Sequence, residues 1–288
     1  MKIAFLGTGL MGAPMARRLA ANHDVTVCNR SSDKTQALID VCAVAQTPVA
    51  AAVDADCVIT MLVDGPTTRA VLTENVFAAA ADQSLIINMG SVDPGTDQDL
   101  AAMAANWHRR YLDAPVSGGV TGARDGTLAI LVGGDRPNFD RAAQVFSCLG
   151  RPTLLGPVGA GQVAKLANQL IVATTIGAVA EAMHLAQAGG CDAAAWRNAL
   201  MGGFADSRIL DLHGARMVAG DFTPGGRSAA QLKDLDNAMS LARDMGLDLP
   251  LSKAVTDGFR DFVDHHDGGD RDHSAYYEWL TLRSRSAP

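Results

Sequence analysis

Apolar residues fall in short runs through the first half of the chain. Strands are predicted at 2–6, 25–28, 57–62, 85–88, 111–114, 128–132 and 153–155, with a weaker one around Val44. Helical periodicity lies between many of them, as at 94–106 and 136–149. The runs are nearly continuous rather than alternating, which marks strands buried on both faces of a mainly parallel sheet with helices over it. Past Gly161 the pattern changes. Residues 162–188 read as one long Ala-rich helix ended by Gly189-Gly190, followed only by helical patterns at 193–201, 208–218, 232–245, 251–263 and 274–282. The expected organisation is an α/β domain over 1–160 and an all-α domain over 161–288 that begins with a long interdomain helix.

The first strand runs straight into Gly7-Thr8-Gly9-Leu10-Met11-Gly12 and then a helical pattern with Met11, Met15 and Leu19 on one side. This is G-x-G-x-x-G between a strand and a helix, the arrangement that gives the motif its meaning. Gly7 permits the tight turn, Gly9 lets a pyrophosphate reach the backbone, and Gly12 lets helix and strand pack closely. The N–H groups around Leu10 and Met11 and the helix dipole favour the phosphate charge. The N-terminal domain is therefore expected to be a Rossmann-type dinucleotide-binding domain. Its second strand ends at Asn29-Arg30-Ser31. A site for NAD ordinarily has a carboxylate there for the ribose 2′-hydroxyl. Asn29 does not repel a 2′-phosphate and Arg30 offers a fork of donors, so NADP is favoured and NAD stays possible. In such sheets ligands lie beyond the carboxyl ends of the strands, which adds Leu62 and Val63 to the cofactor side.

Composition narrows the class. With 48% hydrophobic and 19% charged residues, the 288-residue chain can bury a sizeable core. A net charge of −7 without a basic run argues against nucleic acid as a partner. The five cysteines are scattered and odd in number, which suits buried thiols in a reducing, cytoplasmic setting. Residues 166–180 carry no charge, but fifteen residues fall short of the roughly 20 that span a bilayer, so no membrane is expected.

Two further segments bear on chemistry. Asp113-Ala114-Pro115-Val116-Ser117-Gly118-Gly119 follows a strand, and its hydroxyl and glycine N–H groups suit a carboxylate. Gly156, Gly159 and Gly161 precede Lys165 on the long helix; Asn168 lies three residues on and Gln169 four, hence on the same face. A lysine there either snorkels to solvent or meets a ligand. The 264–273 segment is rich in Asp and His, but its adjacent His265 and His266 are poor partners for one ion. It reads as a loop in which Asp272 and Ser274 cap the final helix, and no metal is assigned. His23, His108, His184 and His213 are scattered.

These segments, with Lys233-Asp234-Leu235 downstream, occur in the order and spacing of the β-hydroxyacid dehydrogenases, and the chain resembles that family over nearly its whole length. The resemblance implies an oxidoreductase transferring hydride between NADP(H) and a small β-hydroxy acid or semialdehyde. It implies Lys165 as catalytic acid/base assisted by Asn168 or its neighbour Gln169. It further implies Ser117, Gly118 and Gly119 on the carboxylate-bearing substrate, and Thr96 and Lys233 against the cofactor. The alternatives are an imine reductase, against which Lys165 argues, and a non-catalytic NADP-binding sensor or scaffold. The apolar, Ala-rich long helix suggests a homodimer or homotetramer.

Overall fold

The computed structural model describes residues 1–286. They form two compact units, Met1–Lys165 and the chain from Leu166 onward. Each is described by itself.

The first unit is built on a sheet of nine strands: β1 (Lys2–Leu6), β2 (Asp24–Cys28), β3 (Ala43–Val44), β4 (Cys57–Thr60), β5 (Leu85–Asn88), β6 (Arg110–Asp113), β7 (Val116–Ser117), β8 (Leu128–Gly133) and β9 (Gly150–Gly156). The order is β3-β2-β1-β4-β5-β6-β8-β7, with β9 on β8. Pairing is parallel from β3 to β6, with Ile3 opposite both Val25 and Cys57. The order reverses beside β1, so the glycine turn after β1 lies at the switch point where such sheets bind ligands. Apolar cores fill both faces: Phe5, Leu19, Ile59, Ile87 and Phe146 on one, Leu6, Val58, Phe77 and Ile86 on the other.

Two features depart from the sequence expectation. Between the predicted strands 111–114 and 128–132 lies a further one: Ser117 ends the two-residue β7, which pairs antiparallel to β8 with Ser117 opposite Ala129. The predicted helix 136–149 is two helices, Arg136–Arg141 and Ala143–Leu149. At the junction the Ala142 N–H donates to both the Asn138 and Phe139 carbonyls, and its ψ of −5° lies well away from the usual helical value of about −42°. Phe139 and Phe146 still pack on one core, so the apolar period runs unbroken across the bend and hides it.

The second unit is helical: most of the long helix Ala160–Ala188, then Ala193–Leu200, Arg208–Ala219, Ser228–Asp244, Pro250–His265, a 3₁₀ turn at His273–Ala275, and Tyr276–Ser286. Asp192 and Ser207 start two of these helices by accepting from the N–H groups of Ala195 and Leu210. Ile176, Ala180 and Met183 of the long helix share a core with Leu235, Phe259, Phe262 and Trp279. Phe259 stacks on Tyr276 at 4.7 Å between ring centroids, an arrangement worth about 1 kcal/mol beyond the area buried. Among the described residues, Ala160–Ala188 is the one helix long and apolar enough by composition to cross a membrane. Its buried residues Ala173, Ile176, Val179, Ala180 and Met183 belong to the core of the second unit.

Candidate active site

The glycine turn is shaped by close approach. A Cβ on Gly7, where φ is +106°, would stand 2.5 Å from the Met61 carbonyl oxygen, and one on Gly12 would collide with the Gly7 carbonyl. A Cβ on Gly9 would meet nothing within 4 Å. Gly7 and Gly12 are thus forced by protein packing, whereas Gly9 faces open space, as a backbone that admits a pyrophosphate must. Leu10 is 62% exposed beside it. The helix Gly12–Ala20 begins there with no side-chain cap on its first-turn N–H groups. The residues present fit a dinucleotide phosphate.

Asn29 has a definite task. Its Oδ1 accepts from the Thr8 N–H at 3.1 Å and its Nδ2 donates to the Ser31 carbonyl at 3.0 Å. The side chain thereby ties the end of β2 to the glycine turn, leaving exposed Arg30 to face solvent beside it. Leu62 lies against Gly7, and Val63 is 60% exposed. Thr96 is buried; its hydroxyl donates to Asp93 Oδ2 at 2.5 Å and accepts from Arg69 at 3.2 Å.

A buried polar network underlies the sheet's carboxyl end. Asp113, at the end of β6, accepts from the Gly159 N–H at 2.8 Å and the Gln162 N–H at 2.9 Å. Gln162 donates to the Gly90 carbonyl at 2.8 Å and accepts from the Val92 N–H at 3.1 Å. Asp97 accepts from Tyr111 at 2.6 Å and Asn88 at 2.8 Å. Burial pushes the Asp97 carboxyl up to about 7, against the pull of hydrogen bonds from Tyr111, Asn88 and Gln162. Burial raises Asp113 too, opposed by backbone N–H groups. Lys165 follows Gln162 by one turn on the long helix and is half-buried. Ser117 is half-buried, and Gly118 and Gly119, with φ of +139° and +62°, are exposed.

The second unit holds the other predicted residues. Gln169 donates to Asp234 Oδ2 at 2.7 Å and to Gln231 at 3.3 Å, while accepting from Asn168 at 2.9 Å. Lys233 pairs with Asp234 at 3.0 Å. Both ends of the Gln169 amide are therefore tied to neighbours on the helix Ser228–Asp244 and to Asn168.

Sequence reasoning missed the roles of Asp97, Asp113 and Gln162. A signal existed for Asp97: it shares a helical face with Leu100 and Ala104, so a carboxylate falls on an apolar stripe. It also missed a cluster around Asp272, which brings His213 and His273 together across 60 positions, with their Nε2 atoms 3.2 Å apart. Asp272 caps the 3₁₀ turn through the Ser274 N–H and also accepts from Ser274 Oγ, Arg216 and the Gly225 and Gly226 N–H groups. The three ligand atoms lie within 4.8 Å, but the carboxylate is already filled by these donors.

Residues 2–172 match the model of the NAD-binding domain of 6-phosphogluconate dehydrogenase, and residues 159–280 match that described as NAD-binding of NADP-dependent 3-hydroxyisobutyrate dehydrogenase. The chain is 40% identical over 288 residues to 2-hydroxy-3-oxopropionate reductase of Escherichia coli (strain K12), covering 98% of each. The chain belongs to the β-hydroxyacid dehydrogenase family. As a member it is a nicotinamide-dinucleotide-dependent oxidoreductase acting on the CH–OH group of small hydroxy acids. The solved structure of Mycobacterium tuberculosis 3-hydroxyisobutyrate dehydrogenase with L-serine superposes with a TM-score of 0.88 at 33% identity, covering 98% of each chain. A Streptomyces aurantiacus imine reductase, at 22% identity and a TM-score of 0.62 over 97% of this chain and 99% of that one, shares the fold.

Proposed function

We propose that this β-hydroxyacid dehydrogenase interconverts a small semialdehyde and its hydroxy acid with NADP(H), 2-hydroxy-3-oxopropionate being the first candidate and 3-hydroxyisobutyrate the second. The observation that carries the reading is the shared frame of lysine and loop: Asp113, which holds the first turn of the Lys165 helix, leads four residues on into Ser117-Gly118-Gly119. The full-length similarity to 2-hydroxy-3-oxopropionate reductase supports the order of candidates.

The bound nicotinamide supplies or accepts the hydride. Lys165 is the acid in the reducing direction: an ordinary lysine is an ammonium at neutral pH, ready to protonate the oxygen on which negative charge grows. Oxidation requires the neutral amine at the same Nζ, which takes up the proton of the substrate hydroxyl as the hydride leaves. Ser117 Oγ and the Gly118 and Gly119 N–H groups hold the substrate carboxylate and so fix the carbonyl, removing orientational freedom before reaction. Asn168 or its neighbour Gln169 is the assisting amide; the two are joined by a hydrogen bond of 2.9 Å. Thr96 and Lys233 stand on the cofactor side. NADP is preferred because Asn29 replaces the carboxylate at the end of β2 and Arg30 offers donors for a 2′-phosphate. A homodimer or homotetramer covers Ile171 and Leu185, which are 69% and 75% exposed on the long helix. A cytoplasmic location agrees with five unbridged cysteines.

The test is a panel of tartronate, methylmalonate and succinate semialdehydes and glyoxylate, each with NADPH and with NADH. Turnover is expected with NADPH, at the highest kcat/KM for tartronate semialdehyde. Consumption of neither coenzyme with any substrate would refute the reading.

A further inference from the structure

The helix that bears Lys165 is anchored by side chains rather than only by its own backbone. Asp113 is wholly buried, and its two oxygens accept separately from Gly159 and Gln162 N–H groups at the start of that helix. A carboxylate suits this place twice over. It offers acceptors in both directions, and it faces the positive end of the helix dipole. An asparagine in the same pose would turn an NH₂ group toward one of the two N–H donors. The approach leaves no slack: a Cβ on Gly161 would stand 2.7 Å from Asp113 Oδ2, and one on Gly133 would collide with Oδ1. Gln162, also wholly buried, carries the same turn to the segment after β5 through the Gly90 carbonyl and the Val92 N–H. Asp113 in turn is followed by Pro115, whose carbonyl accepts from Leu131 at 2.9 Å, and then by Ser117.

We infer that Asp113 and Gln162 are positioning residues for the reaction, setting the place of Lys165 relative to the Ser117–Gly119 loop. The inference rests on the reading of Lys165 as the acid/base. Neither residue needs to touch substrate. Each acts through the first turn of the lysine helix, and a displacement of about 1 Å at a reacting group can cost on the order of 100-fold in rate.

The experiment is a double-mutant cycle on NADPH-dependent reduction of tartronate semialdehyde. Asp113→Asn and Gln162→Met should each lower kcat by about 100-fold, with KM within about 3-fold of the parent and NADPH binding, followed by fluorescence, unchanged. Added to Lys165→Ala, either change should alter the residual kcat by less than about 3-fold, because residues acting as one unit are not additive. A readout without coenzyme accompanies it: in Asp113→Asn the Gly159 and Gln162 amides should exchange at least about 10-fold faster, while those of β1 keep the parent rate. If Asp113→Asn does not fold, the Gln162→Met cycle decides alone. Multiplicative losses in the double variants, or near-parent kcat in the single ones, overturn the positioning role. Near-parent turnover in Lys165→Ala overturns the acid/base reading itself, and so separates the two failures.

Discussion

Asp113 in the sheet unit and Asp272 in the helical unit are both wholly buried, and both accept from backbone N–H groups, Asp113 from Gly159 and Gln162, Asp272 from Gly225, Gly226 and Ser274. Burial pushes the two carboxyls the same way, yet they end on opposite sides of the ordinary value. Asp113 stays raised, because backbone N–H groups only partly offset desolvation. In Asp272 desolvation is outweighed by the charge of His273, the Ser274 hydroxyl and the Gly226 and Gly225 N–H groups, which hold it well below the usual carboxylate range. Arg216 pairs with it at 2.8 Å. Depth alone does not decide the charge of a buried acid; the company does. The consequence is a division of labour. The sheet unit's aspartate fixes the turn before Lys165. The helical unit's aspartate fixes the Gly225-Gly226 turn, from which the chain enters the helix Ser228–Asp244 that carries Lys233.

The largest effect expected leaves both hubs intact and removes the group that the first one places. Lys165→Ala should lower kcat by at least about 1,000-fold with NADPH affinity unchanged, as loss of a general acid predicts; steady-state kinetics and coenzyme titration check it. Next comes the hub with cations. Asp272→Ala strands Arg216 and empties the Gly225-Gly226 anchor, and should destabilise the protein by about 3 kcal/mol in calorimetry; a loss under about 1 kcal/mol would show the cluster to be solvated.

Acid and alkali should then separate the two kinds of buried carboxyl. Asp97 has a folded pKa near 7, above its unfolded value of about 4, so its contribution is complete below about pH 4 and is lost as pH rises through about 7. Asp272 is depressed, so its contribution is present above about pH 4 and is lost as pH falls below that. Asp97→Asn should therefore flatten the decline between about pH 4 and pH 7 and stabilise the protein by roughly 2 kcal/mol at pH 8, read from urea unfolding at pH 5 and pH 8; equal slopes in variant and parent would contradict it. The smallest effect belongs to a cation whose proposed partner is a ligand. Arg30→Ala should raise KM for NADPH about 10-fold, near 1.4 kcal/mol, and leave KM for NADH alone.

Much of this was legible in the chain. The strand at 2–6, the glycine motif and the helix 94–106 appear where their periodicity placed them, because burial on two faces or on one stripe leaves a local signature. The bend at Ala142 was not legible, since the apolar spacing continues through it. Nor was the pairing of β7 with β8, because two residues carry no period. The roles of Asp113 and Gln162 were hidden for a different reason: Gly159 and Gln162 lie 46 and 49 positions beyond the carboxylate that binds them.

From its order of residues alone, this protein's element types and its glycine turn could be named, and a lysine, a serine and two glycines put forward for its chemistry. These depend on neighbours a few positions away, and backbone geometry repeats over that range. Which aspartates become buried, which of them meet cations, and which one pins the lysine helix were decided by the folded packing. A hydrogen bond between distant segments exists only once the sheet and helices have brought its donor and acceptor within 3 Å or so of each other.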